Sequence, residues 1–399
     1  MDKRNLNILM MVHRLEDASP YCFFVHEQAR TLAARGHRVT VISCVLCPPL
    51  ASRLRPEAHA LDLRTPARDR LDGVEIVYPR ALSLGDGGDR LFGGSLMALA
   101  AFREAKRMHE AAPFDLIHAH MLPRDGHAAL LIGRRLGVPV VLTVHGTDVL
   151  RYFGEGITPW KRNVKIAREV DALMAVSPML LNRVRGCRGE KAISRVVENG
   201  VDLSLIPEVR ENRPGRILSV GTLKARKCMD RTLSAFARVA GEFPQAELTL
   251  IGEGPDREAL LAMARELGVA QRVHLTGGMP HRQVLEEMSR SDLFLLPSWG
   301  EGFGIVYIEA MAAGCLAVGA RNEGIDGTLR DGENGFLVDA GSVDQMEQIL
   351  RRCLGDPASV REIRMAGMRT AREMTWERNA RETEEVYRQV LDGKQEGLR

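Results

Sequence analysis

The chain is more informative at first for what it is short of. None of its apolar runs reaches the roughly 18 to 20 residues needed to span a bilayer, and its opening stretch MDKRNLNILMMVHR holds too short an apolar segment for a secretory signal. A cytoplasmic protein is expected. Aromatic residues make up only 5% of the 399 positions, and the arginines are not interleaved with them, which disfavours nucleic-acid binding. Seven cysteines, an odd number scattered through a long chain, suit reduced thiols better than a disulfide framework. Cys44 and Cys47 form a lone CxxC with no second pair and no nearby histidine, so neither metal binding nor redox chemistry follows from them. No GxGxxG follows the first strand, which argues against a dinucleotide-dependent oxidoreductase.

Charge is balanced overall at +3 but unevenly distributed. Up to Leu205 there are 29 Lys and Arg against 22 acidic residues, a balance of +7, and the remainder carries 26 against 30, a balance of −4. A basic first half suits a surface that meets anions, such as a phosphorylated acceptor or acidic lipid headgroups.

What is present is an alternation of short apolar runs and helical patterns, twice over. LNILMMV (Leu6 to Val12), the helix Phe24 to Ala34 and the strand Val39 to Val45 form a βαβ opening. From Pro48 to Leu91 the chain is polar and rich in Pro and Gly, with one strand at Val74 to Tyr78. Between Leu91 and His109 an amphipathic segment carries Leu91, Phe92, Leu96, Leu99 and Phe102, and ends in Arg103, Lys106 and Arg107; it suits a core-facing helix or peripheral membrane contact. Strand FDLIHA follows. Alternation puts His118 and His120 on one side, but no acidic residue completes a metal set before Asp125, so they read as strand-end and loop residues. The apolar strand ending at Val144 delivers His145-Gly146-Thr147-Asp148 to the carboxyl end of a parallel strand, where ligands of open α/β sheets bind. The plainer alternative is that they cap a strand end and the next helix. The polar stretch Glu208 to Arg216 reads as a linker, and a second β/α series begins at Ile217.

Within that series Arg226 and Lys227 stand together just before a helix, the chemistry of a diphosphate site: a guanidinium that forks to two oxygens, an ammonium and a helix N-terminus. Gly252-Glu253-Gly254 is a lone GxG after a strand. The most telling stretch is DLFLLPS-WGEGFG-IVYIEAMAAG-CLAVGA, from Asp292 to Ala320: strand, glycine-rich turn, helix, strand. Glu301 lies in the turn. Glu309 lies inside the helix among Ile305, Val306, Ile308, Ala310 and Met311, where a carboxylate is costly unless something hydrogen-bonds to it, and a vicinal diol such as a ribose would satisfy both oxygens. Read blandly, both are solvated glutamates, but nothing else in the helix is charged.

The Glu301-x7-Glu309 pair in EGFGIVYIEAMAAG, with VGTLKARKCMD and HGTD, resembles the retaining glycosyltransferases of group 1, family 4, which have the GT-B fold. The resemblance covers nearly the whole chain, strongly from Ile217 to Val338 and around His145. It implies an α/β architecture of two Rossmann-like domains with parallel sheets facing across a cleft, residues 1–206 for the acceptor, 207–374 for the donor, and a helix at 375–399 returning to the first domain. It implies transfer of a hexosyl-type sugar from a UDP- or GDP-linked donor to a glycan or lipid-linked acceptor, as in cell-surface polysaccharide or glycolipid assembly, at the inner face of the membrane. No cofactor and no metal is implied; the nucleoside diphosphate sugar is a co-substrate. By resemblance Glu309 holds the ribose and Arg226 and Lys227 grip the diphosphate. Gly221, Thr222, Gly252 and Gly254 line the nucleotide cleft, Glu301, Gly302, Phe303, Gly304 and Ile305 hold the sugar, and His145 reaches the reaction centre as the domains close. Three departures stand out: Thr222 where many members have Arg, Cys228 where Gly is usual, and no Gly-Gly in the first loop, where Ser19-Pro20-Tyr21 stands instead. Ser19, Tyr21 and Asp148 are the acceptor-side candidates. The alternatives are a GT-B epimerase of nucleotide sugars, active without an acceptor, and a non-catalytic subunit that binds donor without turnover.

Overall fold

Apolar runs buried on both faces become the strands of two largely parallel sheets, as such runs do where helices cover both sides. The computed structural model describes residues 4–13, 23–47, 65–151, 153, 160–189, 192–207 and 215–397. The chain divides into one unit of Met1–Glu198 with Asn379–Arg399, and a second of Asn199–Arg378.

In the first unit the strands are β1 (Asn7–His13), β2 (Arg38–Cys47), β3 (Arg68–Leu71), β4 (Val74–Val77), β5 (Arg80–Leu82), β6 (Leu116–His120), β7 (Val140–Val144), β8 (Ala172–Ala175) and β9 (Ile193–Val196). Their order is β3-β4-β2-β1-β6-β7-β8-β9, with β5 beside β2. The chain steps from β1 to β2 on one side and resumes at β6 on the other, so the crevice between β1 and β6 is a topological switch point, and ligands bind outside the carboxyl ends there. Sequence reading expected a single strand between Pro48 and Leu91. Residues 48–64 lie outside the described residues, and beyond them the structure adds β3 and β5. β3 is the polar run RDRL, paired antiparallel with β4 through the turn Asp72-Gly73, both at positive φ (+47° and +84°). An Asp-Gly turn is a strong hairpin signal, but RDRL has no apolar alternation to accompany it. The amphipathic segment is a helix over Gly85–Ala111, longer than expected.

The second unit has β10 (Arg216–Val220), β11 (Glu247–Ile251), β12 (Val273–Gly277), β13 (Leu293–Leu295), β14 (Leu316–Ala320) and β15 (Phe336–Val338), in the order β12-β11-β10-β13-β14-β15. Every pairing is parallel. Its switch point lies between β10 and β13, so the loops after these two strands are the expected ligand loops.

The last helix, Trp376–Gly397, spends most of its length in the first unit. Ala380, Val386, Tyr387 and Val390 join Ile8, Met10, Leu32, Val41 and Met174 in that unit's core. Asn379 receives an amide hydrogen bond from Gln28 at 2.7 Å, and Glu384 pairs with Arg35 and, at 3.1 Å, with His37. Among the described residues no helix is long and apolar enough to cross a membrane. The proposed linker is described only from Gly215 onward.

Candidate functional site

In the second unit the site is built by loops that touch one another through backbone. The amide of Gly221 donates to Ile251 O at 2.9 Å, Leu223 to Glu253 O at 2.9 Å and Gly252 to Gly277 O at 2.9 Å. A Cβ on Gly252 would lie 1.9 Å from Gly221 O, and one on Gly254 would lie 2.2 Å from Leu223 O. The two glycines of the GxG are thus required by loop-on-loop contact. Thr222 is exposed beside them.

The loop then makes one turn of 3-10 helix, Ala225–Lys227, and reverses at Cys228, which sits in the left-handed region at φ +52°. This explains why glycine is usual in the motif: a side chain there costs about 1 to 2 kcal/mol. The turn presents Arg226 and Lys227 to the loop after β13. Lys227 Nζ lies 2.7 Å and Arg226 Nη1 2.8 Å from the same oxygen, Oε1 of Glu301. The Lys227 and Glu301 side chains are only 10% and 12% exposed, whereas Arg226 is 43% exposed, so Lys227 makes the less screened pair.

The Glu301 loop is itself held. The amides of Gly300 and Glu301 donate to Glu323 Oε2 at 2.9 and 3.1 Å, and Gly324 donates to Glu301 O at 3.1 Å. A Cβ on Gly324 would lie 2.3 Å from Gly302 C and 2.5 Å from Phe303 N, so the two loops meet at backbone contact. Phe303 is buried, and Gly304 at φ +87° turns the chain into the helix Ile305–Ala313, whose N-terminus no side chain caps. Its first amides are therefore available to a ligand. Tyr307, fully buried, ties the helix to the end of β13 through Leu296 O and through Ser298 Oγ at 3.2 Å.

Glu309 is buried, and its Oε1 accepts from His281 Nε2 at 2.7 Å. Sequence reading asked for a partner that satisfies this carboxylate and did not find His281, 28 positions away at the start of the helix His281–Ser289. The nearest signal was the histidine after Gly277-Gly278-Met279-Pro280 at a strand-to-helix turn, which names a position but not its partner. Glu323 likewise carries no local signal that marks it as the anchor of the Glu301 loop.

In the first unit a histidine cluster lies at the carboxyl ends of β6 and β7. His118 and His120 are fully buried and lie within β6, which corrects their reading as strand-end and loop residues: β6 runs on to His120 between β1 and β7, and Tyr387, Thr143 and His145 cover the two rings. His118 bonds Tyr387 Oη and Thr143 Oγ1, each at 2.7 Å. His120 Nδ1 is 3.0 Å from His145 Nε2, and the His145 ring stacks on Phe24 at 4.3 Å. Burial pushes His120 down to about 3, and burial with the neighbouring imidazoles holds His118 and His145 well below the ordinary histidine range. The cluster is therefore neutral at physiological pH.

Asp148 is buried, and its carboxylate accepts from the amides of Leu122 (3.1 Å), His145 (3.1 Å) and Gly146 (2.8 Å). Burial raises its pKa against the pull of those amides. It holds the turn that carries His145. Nearby, His13 Nδ1 lies 2.6 Å from buried Asp125 Oδ2, a pair that sequence reading did not anticipate. Ser19 and Tyr21 lie outside the described residues. Among the described residues no group of three or more His, Cys, Asp and Glu side chains is arranged to hold a metal ion.

Comparison with known proteins follows the same division. The family described as "Glycosyltransferase Family 4" matches residues 23–205, and "Glycosyl transferases group 1" matches residues 206–372. A glycogen synthase of Mycobacterium tuberculosis is 29% identical over 385 residues, 91% of this chain and 89% of that protein. A D-inositol 3-phosphate glycosyltransferase of Segniliparus rotundus is 30% identical over 315 residues, 71% of this chain and 68% of that protein. Among solved structures, sucrose-phosphate synthase from Thermosynechococcus elongatus superposes with a TM-score of 0.76 at 20% identity, covering 98% of this chain and all of that one, which speaks to the fold. With its EGFGIVYIE stretch, its Arg-Lys turn and its two switch-point α/β units, the chain belongs to the group 1, family 4 glycosyltransferases of GT-B fold.

Proposed function

We propose that this glycosyltransferase moves a hexosyl-type sugar from a UDP- or GDP-linked donor to a glycan or lipid-linked acceptor, with retention at the anomeric carbon and without a metal ion. The observation that carries the reading is the convergence of Arg226 and Lys227 with Glu301 at the switch point of the second unit, beside the uncapped amides of the helix that bears Glu309. Two cations beside free amides suit a diphosphate; a buried carboxylate with one oxygen held by His281 suits a ribose hydroxyl on the other.

Negative charge grows on the β-phosphate as the glycosidic bond breaks. Cations fixed there by the 3-10 turn stabilise the transition state more than the ground state. With no side-chain nucleophile assigned, attack comes from the face the phosphate leaves, and the departing phosphate takes the acceptor proton. Glu301 through Ile305 hold the sugar's hydroxyls, and Gly221, Thr222, Gly252 and Gly254 line the nucleotide. In the first unit His145, uncharged at working pH, is suited to hydrogen-bond a hydroxyl rather than to carry charge. The +7 balance up to Leu205 suits an anionic acceptor. Exposed Leu91, Phe92 and Leu99, on a helix with Arg103, Lys106 and Arg107, support delivery from a lipid surface.

The test is calorimetric binding and turnover against a panel of nucleoside diphosphate sugars. One donor should bind and be transferred with its anomeric configuration kept, read by NMR. Glu309→Ala should weaken binding by roughly 10- to 100-fold, the loss of a charged hydrogen bond in a buried site. A panel in which nothing binds sinks the proposal.

A further inference from the structure

We infer that Glu301 masks the two site cations and so makes the site prefer a sugar-bearing donor to a bare diphosphate. The inference rests on the nucleotide-sugar reading above. One oxygen of Glu301 takes both Lys227 and Arg226, at 2.7 and 2.8 Å, and the Lys227–Glu301 pair is about nine-tenths covered. The carboxylate cannot easily follow the cations elsewhere, because Glu323 and Gly324 hold the backbone of Gly300 and Glu301 by three hydrogen bonds. The three side chains sum to a single positive charge, where an arginine and a lysine alone would present two.

A diphosphate arriving without a sugar must draw Lys227 away from Glu301. That leaves a little-exposed carboxylate with only the more exposed, better screened Arg226 as counter-charge, and none if Arg226 also turns to the phosphates, which is costly. Alternatively it binds a trio that carries one net positive charge instead of two. An intact donor avoids this choice. Its sugar hydroxyls donate to the Glu301 carboxylate while the cations turn to the phosphates, so every charge keeps a partner. After transfer the hydroxyls leave with the product, and Glu301 competes again for Lys227. The same carboxylate that receives the sugar thereby loosens the spent nucleotide.

The experiment compares wild type with Glu301→Gln and Glu301→Ala by calorimetry. Each protein is titrated with inorganic pyrophosphate, with the nucleoside diphosphate, and with the nucleotide sugar the wild type uses. Removing the charge should tighten pyrophosphate and nucleoside diphosphate by about tenfold or more in both variants, while nucleotide-sugar affinity rises less or falls. The preference for donor over diphosphate should shrink, and added salt should weaken diphosphate binding more steeply in the variants than in wild type. Unchanged or weaker pyrophosphate binding in both variants, each with wild-type thermal stability, overturns the inference whatever the donor panel shows. A wild type that binds no nucleotide sugar defeats the functional reading instead, and the pyrophosphate arm still decides whether Glu301 masks the cations.

Discussion

The three imidazoles of the first unit are the residues most changed by their surroundings. Free in an unfolded chain each would titrate near 6.5; in the fold His120 is pushed to about 3 and its neighbours well down, because burial disfavours the charged form. Below about pH 6.5 the unfolded chain therefore binds more protons than the folded one. Stability must fall as the pH drops from there toward the folded values, and be fully present above it. A fully depressed histidine contributes about 1.4 kcal/mol per pH unit, so His120→Gln, whose amide can still reach His145, should lower the slope of unfolding free energy against pH by about that much between roughly pH 6 and 4. Urea titrations of the first unit's signal at several pH values measure it. An unchanged slope would mean that His120 is protonated in the folded protein.

At the scale of the element, the candidate site depends on loops that approach too closely for side chains. Gly324→Ala would drive a methyl group into the Gly302 and Phe303 backbone. It should destabilise the second unit by about 1 to 3 kcal/mol and displace the Glu301 loop, with donor affinity reduced along with stability. Gly241→Ala, where a Cβ would meet nothing within 4 Å, is the control and should leave both unchanged to within about 0.5 kcal/mol. Thermal unfolding and donor titration on the two variants separate a site effect from a general cost of replacing glycine. Sequence alone showed that glycines cluster after β10, β11 and β13. It did not show that Gly252 and Gly254 answer to Gly221 and Leu223, since these contacts join separate strands.

For the molecule as a whole, the closing helix is part of the first unit's core although it follows the entire second unit in sequence. Tyr387 is fully buried there with its hydroxyl 2.7 Å from His118. Tyr387→Ala should cost the first unit about 3 to 5 kcal/mol through the cavity and the lost bond. Hydrogen exchange should show amide protection falling in β1 and β6 and unchanged in β10 and β11. Loss of protection in β10 to the same degree would show that the two units unfold as one.

The sequence by itself determined the α/β alternation, the start of the second series at Ile217 to within a residue, and the stretch from Asp292 to Ala320 with its two glutamates. These are local signals: apolar runs, glycines at turns, a charge on an apolar helix. Tertiary structure alone decided which groups meet. It put His281 against Glu309 and Glu323 on the amides of Gly300 and Glu301, buried His118 and His120 instead of leaving them in a loop or at an exposed strand end, and seated Tyr387 beside a histidine 269 positions earlier. Periodicity reports which face of an element is covered. What covers it is set by strand order and loop contact, and neither leaves a local trace in the sequence.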